Sequence, residues 1–391
     1  MIKSLLDTDL YKLSMGQFAF HQFPHANVKY EFKCRTKGID FKPHLKRIEK
    51  EIESFRQLRF TAEEIGYLQS LPYMKQDFLD YLFGYRNDNN RYEIYIDKNN
   101  DLNINIYGQW INTILAEVPV LAIVNEVYFT NGMTEERLDT HFKIGREKIT
   151  KSIESIKKHN MLNGDTFKFM EFGTRRRFSM EWQREVVKML MDQVPESLLG
   201  TSNVLLAKDL GLKPLGTMAH ELLMLHQAVV RVEDSQKMAL QNWAEEYRGQ
   251  LAIALSDTLG IDAFLKDFDL YFAKLYDGVR QDSGDPIDIY NKVVAHYEKL
   301  GIDPKTKTII FSDGLTLDSA VGLLKQTTKM KAVFGIGTSL SNNVGVEPLQ
   351  IVMKLTECNG KPVAKISEAR GKTMCNDPIY LEYLKRVFDI K

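Results

Sequence analysis

The sequence has few cysteines, no net charge and no long apolar run. Its 391 residues include three cysteines, Cys34, Cys358 and Cys375, an odd and widely spaced set that argues against a disulfide framework or a structural zinc site. Fifty-two basic residues balance fifty-two acidic ones, so no overall positive field attracts nucleic acid or an anionic membrane. Charged residues interrupt the apolar runs. We therefore expect a protein that is neither secreted nor membrane-spanning and that works in the cytoplasm.

What the chain does have is enough apolar material, 44% of its residues, for a large core divided over two or three domains. The pattern changes near residue 135. Before that point the alternating segments VKYEFKCR, RYEIYID and LNINIYG predict antiparallel strands. Helices are predicted around Lys46–Arg56 and Lys75–Phe83. The first part of the chain is therefore expected to be an α+β domain.

After a charged helix predicted around Glu135–His159, short apolar runs each end in a polar turn, and most then enter a helix. This pattern predicts about seven parallel strands in an α/β fold. We expect a closed or nearly closed β/α barrel, with an open sheet as the alternative. The segments are FKFMEF, SLLGT, KPLGT, LAIALS, AKLYDG, KTIIFSDG and KAVFGIG.

Side chains suited to catalysis and binding cluster in the loops that follow these strands, where β/α barrels carry their chemistry. The GIGTS loop offers backbone N–H groups to a phosphate, although glycines after a strand are often only turn residues. Asp282 and Asp313 either brace their own turns or accept hydrogen bonds from a sugar. Arg175 and Arg176 suit a phosphate or carboxylate, or belong to a solvated turn. His220 directly follows a predicted strand, which favours it over the other histidines.

Seven segments in the order DLYKLSMGQ, EFGTRR, GTMAHE, GVRQDSGDP, FSDGL, FGIGTSLSN and KISEARGKTMCNDP resemble the nicotinate phosphoribosyltransferase family. The resemblance spans nearly the whole chain. It implies a type II phosphoribosyltransferase with an N-terminal α+β domain over residues 1–135 and an irregular barrel over residues 136–350. A C-terminal segment, residues 351–391, is expected to return to the first domain.

The resemblance also implies how a pyridine ring is held. Phe172 and Tyr11 match the family's stacking aromatics, the tyrosine coming from a second subunit. Arg280 matches the arginine that meets the exocyclic group, and a guanidinium is a natural partner for the nicotinate carboxylate. Related nicotinamide-using enzymes carry an aspartate where this chain has Ser202. A serine hydroxyl can donate to a carboxylate without a charge penalty, which favours the acid as substrate.

The second implied substrate is phosphoribosyl pyrophosphate. The family assigns its 5′-phosphate to the glycine loop, here Gly335, Gly337 and Thr338, and its ribose to Asp282 and Asp313. Cationic contacts to the pyrophosphate match Arg175, Arg35 and Lys37, the last two reaching across a dimer interface. Mg²⁺ is expected to neutralise the leaving group without direct protein ligation. A homodimer with shared sites is therefore expected.

His220 matches the family's phosphorylated histidine, which takes the γ-phosphate of ATP. Together with Arg280 and Asp282 it forms the expected catalytic set. ATP is thus the expected third substrate, and the implied reaction forms nicotinate mononucleotide in NAD salvage.

Four further residues have weaker support. Glu221 either orients His220 or only begins a helix, and Asp257 either lies near His220 or caps a helix. Lys365 and Lys372, in the last segment, are expected to be solvated at the surface. Three other functions stay open: a related enzyme that uses nicotinamide or quinolinate, another sugar-phosphate barrel enzyme such as an isomerase or lyase, and a non-catalytic nucleotide-binding module.

Overall fold

The secondary structure is organised around two sheets, one antiparallel and one parallel. The computed structural model describes residues 1–163, 166–368 and 371–390. The strands are β1 (Asn27–Cys34), β2 (Arg91–Ile96), β3 (Leu102–Gln109), β4 (Phe169–Glu171), β5 (Leu198–Thr201), β6 (Ile253–Leu255), β7 (Gly278–Gln281), β8 (Thr308–Phe311), β9 (Lys331–Ile336), β10 (Ile351–Cys358) and β11 (Lys361–Pro362).

The α-helices lie between these strands and after them. Those of the first part are α1 (Leu10–Gln22), α2 (Leu45–Arg56), α3 (Ala62–Gln69), α4 (Gln76–Gly84), α5 (Trp110–Thr113), α6 (Glu117–Thr130) and α7 (Glu135–Asn163). Those of the second part are α8 (Met180–Gln193), α9 (Val204–Leu210), α10 (His220–Val229), α11 (Ser235–Tyr247), α12 (Ile261–Asp267), α13 (Leu270–Leu275), α14 (Pro286–Lys299), α15 (Leu317–Leu324), α16 (Thr338–Ser341) and α17 (Pro378–Val387). The helices predicted around Lys46–Arg56, Lys75–Phe83 and Glu135–His159 are confirmed as α2, α4 and α7.

The antiparallel sheet has the strand order β11-β10-β1-β3-β2. Its three N-terminal strands occur where alternation predicts them, because residues such as Leu102, Ile104 and Ile106 all point into the core. Strand β1 pairs on its other side with β10, placing Tyr30 opposite Leu355. This pairing confirms that the end of the chain completes the N-terminal α+β layer.

The parallel sheet has the strand order β5-β4-β9-β8-β7-β6, so the mixed α/β class is confirmed. The described residues form six strands here, with no pairing between the outer strands β5 and β6. The prediction of a strand at KPLGT is wrong: this segment makes a single parallel bridge from Pro214 to Thr201. The two bonds of this bridge run from Thr201 N to Lys213 O and from Leu215 N to Thr201 O. The bridge extends the sheet beyond β5.

A second correction concerns AKLYDG, which was expected to be a strand. Its first half, residues 273–275, is helical, because the Asp269 side chain accepts hydrogen bonds from Tyr271 N and Phe272 N and so starts helix α13. The strand begins only at Gly278 and continues through GVRQ, whose four residues are all buried. Because the strand starts later in the chain than predicted, Arg280 lies within β7, and Asp282 directly follows its last residue.

One helical stretch, Trp110–Thr130, is long and apolar enough to cross a membrane by composition alone. In the fold it contributes α5 and α6 to the core, and 83% of its most apolar window is buried. An apolar helix that is buried in this way is typical of a protein core.

The C-terminal segment is attached to the parallel sheet as well. Ala364 and Ile366 pack with Leu259, Ala263 and Leu384 in a small apolar cluster separate from the main core. The backbone N–H of Ile366 donates to Thr258 O at 2.8 Å. This attachment brings residues 365–368 to the carboxyl ends of the strands. Positions 369 and 370, within the KISEARGKTMCNDP segment, lie outside the described residues.

Candidate active site

A cavity of about 490 Å³ opens where the carboxyl ends of the parallel strands face the antiparallel sheet. Both parts of the chain contribute to its walls, and the carboxyl ends of parallel strands are where α/β proteins bind their ligands. Most of the residues predicted from the sequence line it. They are Tyr11, Arg35, Phe172, Arg175, Ser202, His220, Glu221, Arg280, Asp282, Asp313, Gly337 and Thr338.

Three predicted residues do not line the cavity: Lys37, Gly335 and Asp257. Gly335 lies within β9, where a Cβ atom would come within 2.6 Å of the Phe172 ring. Its lack of a side chain therefore lets Phe172 pack, and this packing sets the position of that ring. Gly337 follows the strand and does reach the cavity. Asp257 lies behind the wall, in contact with His220.

His220 is the first residue of α10 and is nearly fully buried. Its Nε2 lies 2.8 Å from Asp257 Oδ1 and 3.7 Å from Asp282 Oδ2. Asp257 also accepts a hydrogen bond from Ser283 Oγ at 2.6 Å and lies 3.2 Å from Lys365 Nζ. The carboxylate is thus held on three sides, and its contact with the imidazole is fixed.

The electrostatics of this cluster keep the imidazole neutral. Burial, with the nearby charge of Lys365, lowers the pKa of His220 to about 4. Burial alone would raise the pKa of Asp257, but His220 and Lys365 hold it well below its usual range. An ionised carboxylate can only accept, so the imidazole proton is on Nε2 and the lone pair is on Nδ1. A neutral imidazole with a fixed tautomer is a competent nucleophile.

Arg280 and Asp282 lie next to this cluster. Arg280 is almost fully buried, and its Nη1 donates to Thr217 Oγ1 at 2.9 Å. The Nε atom of Arg280 has no hydrogen-bond partner within the described part of the chain. Ser312 Oγ donates to Asp282 Oδ1 at 2.9 Å. Burial would raise the pKa of Asp282, yet the charge of Arg280 leads the effects that lower it below its ordinary value, so the carboxylate is ionised.

The two lysines of the last segment are not solvated surface residues, so that prediction is wrong. Lys365 is buried against Asp257, and both Lys365 and Lys372 line the cavity. Lys372 Nζ lies 2.5 Å from Asp313 Oδ1. The reason is the attachment of residues 364–366 to the parallel sheet, which the sequence pattern does not reveal. The segment therefore supplies two cations to the site.

The three adjacent arginines have different roles. Arg177 is fully buried and pairs with Asp7 at 2.7 Å, which excludes a solvated turn at this residue. Arg175 lines the cavity with Nη1 3.8 Å from Glu117 Oε1. Arg176 also lines it, while its Nε donates to Ile351 O at 3.0 Å. Burial, with the charges of Arg175 and Arg35, lowers the pKa of Arg176 to about 10. A like charge nearby disfavours the protonated guanidinium.

Glu221, next to His220 in the chain, belongs to a different cluster. Its Oε1 accepts a hydrogen bond from Lys12 Nζ at 2.7 Å, and its Oε2 accepts one from Tyr30 at 2.5 Å. Lys12 is fully buried and also pairs with Glu117 at 2.5 Å. Glu221 therefore does not orient His220; Asp257 does. Lys12 of α1 thus forms ion pairs with Glu117 of α6 and Glu221 of α10, and these pairs link the three helices.

Tyr11 and Phe172 line the cavity of one and the same chain, as does Arg35. Sequence separation alone therefore does not require a second subunit to supply them. Ser202 lies beside them, but its hydroxyl donates to Asp9 Oδ1 at 2.7 Å. That proton is not available to a substrate carboxylate while the bond lasts.

Sequence reasoning missed several cavity residues. Asp9 lies in the quoted DLYKLSMGQ segment and lines the cavity. Lys12, in the same segment, lies behind the wall and pairs with Glu117 and Glu221, within a helix whose residues from Leu10 to Ala19 are all buried. That helix could not be recognised as buried from sequence, because its polar and apolar residues are mixed. Lys354 gave no signal: it lies in β10, and burial lowers its pKa to about 8 despite the charge of Glu117.

Comparison with known proteins agrees with this geometry. Residues 167–391 match the model of the nicotinate phosphoribosyltransferase (NAPRTase) family, and residues 6–125 match its N-terminal domain. A Bordetella pertussis protein named nicotinate phosphoribosyltransferase is 49% identical over 395 residues, covering 100% of this chain and 96% of its own. A Xanthomonas axonopodis relative of the same name is 47% identical over 394 residues, covering 100% of this chain and 98% of its own.

Solved structures agree too. The crystal structure of nicotinate phosphoribosyltransferase from Vibrio cholerae superimposes with a TM-score of 0.95 at 43% identity, covering 100% of this chain and 95% of that one. The Porphyromonas gingivalis structure gives 0.91 at 34% identity, with both chains covered completely. The chain belongs to the nicotinate phosphoribosyltransferase family.

Proposed function

We propose that the chain transfers the phosphoribosyl group of phosphoribosyl pyrophosphate to nicotinate, forming nicotinate mononucleotide and pyrophosphate in the salvage route to NAD. The observation that carries this proposal is Arg280. Its guanidinium is buried at the cavity wall with Nε unpaired among the described residues, and Phe172 and Tyr11 line the same space. A flat aromatic ring that bears a carboxylate satisfies both features. The names of the relatives support the same substrate.

The cationic wall supports the second substrate. Arg35, Arg175, Arg176 and Lys372 line one cavity of a chain with no net charge, which suits a pyrophosphate. The pyridine nitrogen lone pair attacks the anomeric carbon as the bond to pyrophosphate breaks, so positive charge develops on the ribose and negative charge on the leaving group. Stabilising the leaving group is then the main electrostatic task. No covalent ribosyl enzyme is needed.

ATP coupling through His220 is part of the proposal. The Nδ1 lone pair of a neutral imidazole attacks the γ-phosphorus, and ADP leaves. Asp257 holds the proton on Nε2 and balances charge as the imidazole is phosphorylated. The enzyme would then combine glycosyl transfer with an ATP-driven, ligase-like step.

Mg²⁺ fits the donors present. Ionised Asp282 and the carboxylate of Asp313 line the cavity, and hard carboxylate oxygens are what Mg²⁺ prefers. The closer set of His220, Asp257 and Asp282 could geometrically hold an ion, with donor atoms within 4.8 Å. Asp257 lies behind the cavity wall, with one oxygen at His220 and the other at Ser283, so we favour Mg²⁺ on substrate phosphates beside Asp282 and Asp313, which line the cavity. When bound there, it would neutralise the departing pyrophosphate.

We also propose a cytoplasmic homodimer. One chain supplies Tyr11 and Arg35 to its own cavity, so a partner would add Lys37 or close the open side of the site. Mixing a Lys37→Ala variant of reduced activity with an inactive His220→Ala variant tests sharing, because Lys37 is the predicted residue that its own chain does not bring to the cavity. Recovery of activity after verified subunit exchange supports it, and no recovery removes it.

The reaction is tested by following mononucleotide formation from nicotinate and phosphoribosyl pyrophosphate with Mg²⁺, with and without ATP. We expect product in both cases, more of it with ATP, and ADP release that is lost in His220→Ala. His25→Ala is the matched control, since His25 is exposed. Absence of mononucleotide under every condition would contradict the proposal.

A further inference from the structure

The segment before α1 is locked against the segment after β5. Leu10 N donates to Ser202 O at 2.8 Å, and Val204 N donates to Thr8 O at 2.9 Å. Asp9 and Asn203 form an isolated antiparallel bridge. These backbone bonds fix the side chain of Asp9 beside that of Ser202. Both lie at the wall of the part of the cavity that Tyr11 and Phe172 line, which we call the ring slot.

The two side chains form one buried unit. Ser202 Oγ donates to Asp9 Oδ1 at 2.7 Å, and the residues are 3% and 2% exposed. Both line the cavity. Burial raises the pKa of Asp9, Glu117 adds to this rise, and Arg175, Ser202 and Thr174 oppose it. Because a hydroxyl has one proton, Ser202 can offer only lone pairs to a ligand while this bond is intact.

We propose that Asp9 is a specificity-determining residue of the ring slot and that Ser202 is a positioning residue that acts through it. The inference rests on the proposed function. Held by Ser202, the Asp9 carboxylate has one oxygen occupied by the hydroxyl proton, so it offers fewer lone pairs to a ring in the cavity. Released, it accepts a hydrogen bond from an amide and repels a carboxylate. Ser202 thus favours the acid by restraining Asp9.

Direct donation from Ser202 to nicotinate is the rival explanation, and the two differ in how substitutions combine. If Ser202 acts through Asp9, removing its hydroxyl matters only while the carboxylate is present. If Ser202 contacts the substrate itself, removing the hydroxyl has the same effect with either residue at position 9. A double-mutant cycle separates these possibilities.

The experiment measures kcat/KM for nicotinate and for nicotinamide in wild type, Ser202→Ala, Asp9→Asn and the double variant. We expect Ser202→Ala to shift the nicotinate-to-nicotinamide ratio toward the amide by about tenfold, the scale of one hydrogen bond to a charged group. In the Asp9→Asn background the same substitution should shift the ratio by less than about twofold. Ser202→Thr, which keeps the hydroxyl, should retain the wild-type ratio.

Equal shifts in both backgrounds would overturn the inference, as would an unchanged ratio in Ser202→Ala. Thermal unfolding of each variant confirms that it is folded, and Asp9→Ser replaces Asp9→Asn in the cycle if the latter does not fold. A wild-type protein that makes no mononucleotide from either ring would overturn the proposed function and this inference with it. A wild type active on nicotinate with additive substitutions overturns the inference alone.

Discussion

The two histidines of helix α10 are alike in burial and different in everything around them. Burial is the main cause that lowers the pKa of both His220 and His226 to about 4. His226 Nδ1 donates to Leu222 O at 2.7 Å, its Nε2 accepts from Asn242 at 3.2 Å, and aromatic rings surround it. His220 instead contacts Asp257 and lines the cavity. A displaced pKa therefore does not separate the two, whereas a charged partner and access to the cavity single out His220 as the proposed phosphoryl acceptor.

The two residues also hold opposite tautomers. The proton is on Nε2 in His220, facing a carboxylate, and on Nδ1 in His226, facing a carbonyl. The free lone pair of His226 is already used by Asn242, so no nucleophilic nitrogen remains. The start of α10 is thus arranged for chemistry and its last turn for packing. The following predictions test this distinction, from the largest expected effect to the smallest.

Asp257→Asn should reduce ATP-stimulated turnover about a thousandfold, because an amide can donate to Nε2 and so favours the tautomer with the wrong nitrogen protonated. ADP release is the measurement. Asn242→Ala, the corresponding change beside His226, should leave turnover within about twofold of wild type if the protein is folded. Similar losses in both variants would remove the distinction between the two histidines.

Lys12→Met should destabilise the fold by about 3–5 kcal/mol, since it leaves Glu117 and Glu221 buried without their shared cation. Urea-induced unfolding measures the change. Lys292→Met is the control: Lys292 is 44% exposed and pairs with Asp262 at the surface, so about 1 kcal/mol or less is expected. A small effect of Lys12→Met would show that stability at the start of α10 has another source.

The sequence predicts some residues of the candidate site and misses others. The rule that chemistry follows strand ends correctly places Asp282, Asp313 and Gly337 at the cavity. It cannot find the contact of Lys365 with Asp257, because these residues lie far apart in the chain and meet only after the C-terminal segment packs on the sheet. Pairings of this kind depend on tertiary packing, which local pattern does not encode.

Acid should weaken the fold through both histidines. Each has a folded pKa of about 4, below the value of about 6.5 for an unfolded chain. The unfolded state therefore binds more protons between these values, and the contribution is complete above pH 6.5 and is lost as the pH falls toward 4. It is at most about 3–4 kcal/mol for each histidine.

The free energy of unfolding, measured between pH 5 and pH 7, checks this sign at both ends of α10. His226→Gln should flatten the pH dependence, and His220→Gln should do so to a similar degree. His25→Gln, at an exposed position, should not change it. A steeper pH dependence in either α10 variant would contradict the neutral assignment of that histidine.

Lys372→Ala should raise KM for phosphoribosyl pyrophosphate about tenfold, since it removes one cation from the cavity and leaves Asp313 unpaired. The unfolding midpoint should change little because Lys372 is partly exposed. Lys385→Ala is the control, as Lys385 pairs with Glu382 on the surface of α17. An unchanged KM would place Lys372 outside the binding site.

The most direct test of the account is labelling with ATP that carries ³²P in its γ-phosphate. We predict an acid-labile, base-stable label on the wild type and on folded His226→Asn, and none on His220→Ala. Label retained by His220→Ala, or lost from folded His226→Asn while His220 is intact, would contradict the assignment of the phosphoryl acceptor to the cavity end of α10.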